Sequence, residues 1–505
     1  MVVTRRGSLE INEKFINRIF GVRHLQCLLL FCGLCLIYGM RVNLSMAIVA
    51  IMDNEAANPE FPKYAWSEKT KSHVLSSFFF GYICAQIPAG GWARHHGGRL
   101  LLFISVSLSS LLALLTPLSV VVGDWPLLCA LRFSQGLVQG LTYPSIATIM
   151  AKWAPIEERS AMLTYCCSGL EFGIVLMLAS SGMLCSSSWG WPSTFYIPGA
   201  LGLIWSAVWF VFGASTPKEC KYISEGERML ISKSLQQTGT NIAECKETQP
   251  IPWRQICTSR PFLVLILSQC ASSWCFWTLL TQIPSYIKSV LGKDIQSNAF
   301  YSALPYLSML VLSLALCPLA SYLEKSKRLN ATVSRKLFNT IGQWTPAVTL
   351  VYLGFLRTDQ ADLAIVLLTF TVAISTVTHF GYQTNHLDLS PHFSGTLMGI
   401  ANSASNVMSI IAPLIVGYIV TDTTNLLQWR IIFSLAGGIS FVGNLLFLFF
   451  GTAKAQHWND APQQVICKTT QQRNSELSLE TKNAQSCVQK DASSIGSSRE
   501  TLNLV

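Results

Sequence analysis

Charge is scarce in this chain. Only 12% of its 505 residues are charged and half are hydrophobic, with a mean hydropathy of +0.41. Soluble domains carry about 25% charged residues, and a water-soluble fold of this length could not cover its surface with half that. A lipid bilayer can solvate such a chain. The sequence also lacks a disulfide or zinc pattern. It has 16 cysteines, but Cys27, Cys32, Cys35, Cys129 and Cys185 sit inside apolar runs, and Cys166 and Cys167 are adjacent rather than spaced as CxxC. They read as small apolar packing residues. Walker, HExxH and GxSxG signatures are missing, and no soluble stretch is long enough for a nucleotide-binding domain. An enzyme, an ATP-driven pump and a resident metal or cofactor are therefore not expected. Nor is a cleavable signal peptide. The first apolar run starts near Leu25, after a polar segment, and continues to Met52, too long for a signal core.

What the chain has in abundance is long apolar runs. A helix needs roughly 20 apolar residues to cross the hydrocarbon core. About twelve runs of that kind lie near 25–52, 74–93, 100–122, 126–151, 161–187, 192–214, 261–287, 299–323, 337–356, 363–386, 393–420 and 431–451. The expected fold is an all-α membrane protein of twelve helices in two six-helix bundles. Its expected parts are an N-terminal tail (1–23), a first bundle (24–214), a central loop (215–260), a second bundle (261–452) and a disordered Ser/Gln-rich tail (453–505).

The net charge of +10 would suit a nucleic-acid partner if it were clustered, but its distribution points to membrane orientation. An even number of spans puts both tails on one side. That side carries 27 Lys+Arg and the opposite loops carry 7, so both termini are expected in the cytoplasm, with no nucleic-acid partner. An internal echo supports two halves. Trp191, Phe195 and Gly199 open the sixth span with the spacing that Trp429, Phe433 and Gly437 repeat in the twelfth. Pro88-Ala-Gly-Gly-Trp92 is likewise echoed by Pro318-Leu-Ala-Ser-Tyr322. Parallel six-helix repeats place a binding site near the midplane between them.

Charge inside spans is the sharpest chemical signal. Arg41 lies in span 1, Arg132 in span 4 and Glu171 in span 5. A charge there costs about 3 kcal/mol or more on insertion scales, so each should face a cavity or a partner. Two arginines against one acid leave a positive excess, and a guanidinium fork matches carboxylate and phosphate geometry. Arg132, Gln135, Gly136 and Gln139 share one helix face, and Gly136 and Gly140 let a neighbouring helix approach closely. Tyr38, Asn43 and Ser45 flank Arg41 and can extend a polar lining. Gln135 reads as an interhelical hydrogen-bonding residue, His379 as a hydrogen-bonded structural histidine, and Trp274, Phe276 and Trp277 as packing.

Several segments resemble the anion:cation symporter family of the major facilitator superfamily, which holds type I sodium–phosphate cotransporters, sialin and vesicular glutamate transporters. They are Tyr38-Gly-Met-Arg-Val-Asn-Leu-Ser-Met-Ala-Ile-Val49, Ser76-Ser-Phe-Phe-Phe-Gly-Tyr82, Lys152-Trp-Ala-Pro155 with Glu158-Arg159-Ser160, Arg335-Lys-Leu-Phe-Asn-Thr-Ile-Gly342, Asn385-His-Leu-Asp388 and Leu397-Met-Gly-Ile400. The nearest flavour is the insect-type inorganic phosphate cotransporter group. The resemblance implies that Arg41 and Arg132 occupy positions used for anionic substrate. It also exposes departures. The glutamate that glutamate transporters and sialin place seven residues after the span-4 arginine is Gln139 here, as in the phosphate/urate branch. Their span-7 arginine corresponds to Ser272 and their span-2 histidine to Leu75. In the 2–3 loop, Arg94 and His95 stand where an acid and an arginine are usual.

The expected activity is secondary active transport of small anions, inorganic phosphate or organic, by alternating access that is either potential-driven or cation-coupled, with sodium or protons as the candidate co-ions. The substrate residues are Arg41, Arg132, Asn43 and Gln139, and Glu171 is either a proton-coupling group or the resting counter-ion of Arg132. The membrane is the plasma membrane or a lysosomal or vesicular one. A sialin-like proton-coupled exporter of acidic sugars is the alternative within the class. A non-transporting receptor or scaffold is the alternative outside it. The topology makes a direct prediction. The sequon Asn330-Ala-Thr332 lies in a cytoplasmic loop and Asn43-Leu-Ser45 inside a span, so neither asparagine carries glycan. Endoglycosidase treatment should leave the mobility of the membrane-inserted protein unchanged, and glycan on Asn330 would invert the topology.

Overall fold

The computed structural model describes residues 21–53, 58–155, 158–236, 251–326, 330–390 and 393–459. Among these it is helical throughout. Span 1 is Val22–Met52, span 2 Glu68–His96, span 5 Arg159–Ser186, span 6 Ser193–Phe212, span 7 Arg260–Ser289, span 8 Ile295–Ser326, span 9 Ala331–Leu353, span 11 Ser394–Ile419 and span 12 Leu426–Phe450. Span 10 comes in two pieces, Ala361–Ser375 and Tyr382–Leu389, joined by a 3₁₀ turn over Thr376–Phe380.

Spans 3 and 4 share one helical stretch, Gly98–Gln139. If straight, 42 residues would run for about 63 Å, twice the hydrocarbon thickness. Asp124 prevents this. It sits at φ +50 just before Pro126 and folds the chain back. Its carboxylate accepts a 2.7 Å hydrogen bond from the Trp66 indole. A short interruption at Gly140 and Leu141 then leads into Thr142–Trp153, which completes span 4.

Among the described residues, nine segments are long and apolar enough to cross a membrane on those criteria alone. One of them, Gly98–Trp153, holds spans 3 and 4, and spans 2 and 9 fall outside the nine because they are polar. Span 2 carries Lys69, Lys71, His73 and Gln86, and span 9 carries Arg335, Asn339 and Gln343. Lys71, Arg335, Asn339 and Gln343 are buried, as expected when polar groups turn inward from lipid. The outward face is apolar, with Leu118, Val121, Ile204, Val348 and Phe449 among its exposed residues.

Small residues set the helix spacing. Cβ atoms built on Gly136 and Gly81 would lie 1.9 Å from the carbonyl oxygens of Phe78 and Phe133 respectively, so spans 2 and 4 touch backbone to backbone. The sequence expectation for Gly136 and Gly140 holds, and span 2 is the neighbour.

Polar ties between the two bundles run from the end opposite the termini to the middle of spans 2 and 11, where Asn406 donates to Gln86 Oε1 at 3.1 Å. Lys288 at the end of span 7 pairs with Asp53 at the end of span 1. Gln296 donates to the Ser186 hydroxyl at 3.0 Å, and Ser76 donates to the Ile410 carbonyl at 3.1 Å. Gly417 packs so tightly on span 2 that a Cβ would meet the Ser72 hydroxyl at 2.1 Å.

Two expectations need correction. The central segment is more than a loop, since Glu225–Gln236 and Trp253–Thr258 are helices. The first is clamped to span 1, where Arg23 bridges Glu158 at 2.7 Å and Glu227 at 3.1 Å, and Glu227 also accepts the Val22 and Arg23 amides, each at 3.0 Å. The polar tail begins later than residue 453. Trp458 is fully buried against Phe393, and Ser390 donates to Asn459 at 2.7 Å. One aromatic residue in a polar stretch gave too little periodicity to reveal that anchor. The disorder expected for 460–505 lies outside the described residues, as does the N-terminal tail up to residue 20.

Gly136→Val should destabilise the protein by about 3 kcal/mol or more, because the new side chain meets backbone that cannot move alone. Gly438→Ala is the control, with nothing within 4 Å of its Cβ. Melting in detergent micelles should fall for the first and hold or rise for the second.

Candidate functional site

The arginines of spans 1 and 4 meet at the centre of the first bundle. Arg41 is 5% exposed and Arg132 is 2% exposed. Three aromatic rings surround the Arg41 guanidinium, with its carbon 4.3 Å from the Tyr38 centroid, 4.7 Å from Tyr82 and 4.9 Å from Phe78. Phe78 and Tyr82 are one turn apart on span 2 and present one face. Arg41 Nε and Nη2 both donate to Gln139 Oε1 at 3.3 Å. Among the described residues neither arginine forms an ion pair with a carboxylate.

Arg132 is bonded differently. Its Nη1 donates to the Met40 carbonyl at 3.1 Å and to Gln135 Oε1 at 2.9 Å, and its Nη2 donates to the Arg41 carbonyl at 2.9 Å. Its Nε is buried without a partner. The fork thus grips two consecutive carbonyls of span 1, using the lone pair each has to spare beyond its helical bond. Arg132 thereby fixes the backbone that carries Arg41.

Arg41 and Arg132 both line a narrow pocket that is nearly closed in this conformation, with room for about one water-sized sphere. Val42, Ser45, Leu75, Phe78 and Phe79 line it from the first bundle, and Trp277, Leu280 and Thr281 close it from the second. Trp277 packs edge-on against Phe79, with centroids 4.5 Å apart. The pocket therefore lies between the two halves.

This chain belongs to the Major Facilitator Superfamily. The family model matches residues 30–413. A Drosophila melanogaster protein named "Putative inorganic phosphate cotransporter" is 33% identical, over 93% of each chain. Human sialin is 32% identical, over 87% of this chain and 91% of its own. Vesicular glutamate transporter 3 from Danio rerio is 32% identical, over 87% of this chain and 75% of its own. Among solved structures, the inward-open xylose transporter from E. coli is 14% identical with a TM-score of 0.65, over 85% of this chain and 96% of that one. A bacterial homologue of the lysosomal transporter Spinster, 12% identical over 85% of this chain and 98% of its own, has a TM-score of 0.62. The fold is that of the superfamily, two six-helix bundles in the membrane.

Within this facilitator the five residues singled out from sequence separate. Arg41, Arg132 and Gln139 come together. Asn43 points elsewhere: its Nδ2 donates to the Thr194 carbonyl of span 6 at 3.1 Å, and it is absent from the pocket wall. Glu171 is buried on span 5 with Oε2 unpartnered and makes no ion pair with Arg132. Of the aromatic cage only Tyr38 was anticipated beside Arg41, as part of a polar lining. Phe78 and Tyr82 stood in a motif with no role attached, though their i, i+4 spacing was a usable signal. Trp277, read as packing, also faces the pocket. Leu75 makes the wall apolar at the position where the glutamate transporters' histidine is expected. The side chain of Arg94 lies outside the described residues, while the His95 and His96 rings lie 4.6 Å apart, tilted at 42° to each other.

The Arg132 geometry predicts the effect of a conservative change. Lysine keeps the charge but cannot fork between two carbonyls. A hydrogen bond to a charged group is worth about 1.5–3 kcal/mol, so Arg132→Lys should slow transport by tenfold or more while the protein still inserts. Initial rates in proteoliposomes, normalised to inserted protein, check this. A wild-type rate would mean that the carbonyl grip does not position Arg41.

Proposed function

We propose that this facilitator carries small anions, inorganic phosphate or a small organic anion, by alternating access coupled to a cation. The observation that carries this reading is the Arg41 guanidinium, caged by aromatic rings and a neutral amide beside a small pocket between the halves. Each cation–π contact offsets about 0.5–2 kcal/mol of burial cost, far less than a carboxylate partner would. The guanidinium keeps its attraction for an incoming anion, whose bidentate geometry it matches. The relatives named for phosphate, and Gln139 in place of the expected glutamate, favour phosphate or a related anion over glutamate. The ties at the end opposite the termini support a conformation that opens toward the tails, with both tails cytoplasmic. The membrane is the plasma membrane or a lysosomal or vesicular one. Glu171, mid-span with one oxygen unpartnered, serves as a proton-exchanging group.

The test is uptake of labelled phosphate and a panel of organic anions into proteoliposomes, with sodium and pH varied independently. Saturable uptake of at least one anion is expected. Arg41→Gln should lower it by tenfold or more, with Arg41→Lys rescuing poorly, and Glu171→Gln should flatten its pH dependence. Absence of uptake across the panel by folded protein would favour the receptor or scaffold reading. Normal uptake by Arg41→Gln would remove Arg41 from the site.

A further inference from the structure

The outer end of span 2 carries a buried lysine that the Arg41 site does not use. Lys71 is 4% exposed and donates to Glu68 Oε2 at 2.9 Å. An ion pair three residues apart on a helix is ordinarily a surface feature worth little. This one is enclosed. Span 2 begins at Glu68, so Lys71 also stands in the first turn of its helix, where the macrodipole disfavours a cation. Burial and the dipole both work against the ammonium, and among the described residues a single carboxylate offsets them.

Helical register places this lysine over the pocket. Leu75, Phe78 and Phe79 line the pocket that Arg41 and Arg132 share. Lys71, Leu75, Phe78 and Tyr82 recur at i, i+4, i+7 and i+11 and so form one helix face. Lys71 is one turn outward of Leu75, about 6 Å along the axis. The facing helix continues the same path. Trp277 and Thr281 line the pocket from span 7, and Ser285 and Lys288 follow one and two turns farther out on that side. Ser285 is 3% exposed and its hydroxyl has no partner. Lys288 pairs with Asp53 across the bundles and closes the outer end. A Cβ on Gly417 would lie 2.1 Å from the Ser72 hydroxyl and 3.0 Å from the Glu68 carbonyl oxygen, so span 11 covers the turn that carries Lys71. Parting the bundles at the outer end uncovers that turn.

We propose that Lys71 is an outer anion-binding residue, a station on the path to Arg41 that takes a small oxyanion of the phosphate or carboxylate class once the outer end opens. The anion takes the place of Glu68, whose side chain is 18% exposed and so has water to turn to. The ammonium exchanges one oxyanion for another and is never left bare. An ammonium is a point charge with three rotatable donors, suited to catching an anion in any orientation, whereas the Arg41 fork fixes one. This role rests on the anion-transport reading and extends it from Arg41 toward the outside.

Initial rates of uptake into proteoliposomes with the tails inside, over a range of outside concentrations of labelled phosphate and of the labelled organic anions, test this role. Lys71→Gln should raise KM about tenfold, with a smaller effect on the maximal rate. Glu68→Gln should lower KM, because the incoming anion no longer competes with a carboxylate. The double variant should follow Lys71→Gln, since Glu68 acts through the lysine. Lys71→Arg keeps the charge and should stay near wild type. A pair that only braces span 2 would give another pattern: both single variants would lose melting temperature and inserted protein while KM held. If Lys71→Gln does not fold, the change in KM for Glu68→Gln decides in its place. Unchanged KM in Lys71→Gln, or an unchanged or raised KM in Glu68→Gln, would overturn the outer station and leave Arg41 as the site. Wild type that takes up none of the anions would instead remove the transport reading, and the station with it.

Discussion

The Arg132 guanidinium holds two consecutive carbonyls of span 1, at Met40 and Arg41, and the centre of the first bundle is arranged around that grip. A guanidinium is too costly to leave in a bilayer without compensation. Here the compensation comes from backbone and amide oxygens instead of an acid. The consequence is electrostatic: the two positive charges are solvated locally but not neutralised. Glycine contacts between spans 2 and 4 bring the aromatic face of Phe78 and Tyr82 close enough to shield Arg41 without cancelling its charge. Backbone proximity, cation–π packing and residual positive potential thus belong to one arrangement, and none of the three survives alone.

The two halves share a fold but not a polar chemistry. The first bundle concentrates charge at its centre. The second has a core of uncharged amides and hydroxyls on spans 7, 9, 10 and 12, with its one described ion pair between spans, Arg335–Asp388, at the tail-side margin. The break in span 10 is tolerated because its freed carbonyls find partners in the Thr384 hydroxyl and the Arg335 guanidinium.

The sequence made the spans legible because each must be apolar for some twenty residues, and it made the buried arginines legible because charge in that setting is rare. Gly136 and Gly140 were readable for the same reason: a missing side chain on a lipid-spanning helix has few uses. What the sequence hid were directions and long-range pairings. Asn43 and Arg41 are two residues apart, yet one turns to span 6 and the other to the pocket. Glu171 stood in the same bundle as Arg132 but is not paired with it. Trp458 shows the same limit. Its burial depends on Phe393, some sixty-five positions earlier in the chain, and no local pattern announces such a contact. The fold near span 10 was expected as one continuous helix, because an apolar stretch looks alike whether it is wound or broken.

The buried Trp458 also changes where the second bundle ends as a mechanical body. Span 12 stops at Phe450, but the chain doubles under the bundle and is pinned to the span 10–11 turn by Trp458, by the Ser390–Asn459 bond and by the Gln456 amide on the Leu389 carbonyl at 2.9 Å. Any tilt of the second bundle carries this strap along. The strap is fastened beside the lower piece of span 10 and, through the Ala453 amide on the Thr332 hydroxyl at 3.0 Å, to the start of span 9, so the tail-side ends of both spans and the segment after span 12 form one body.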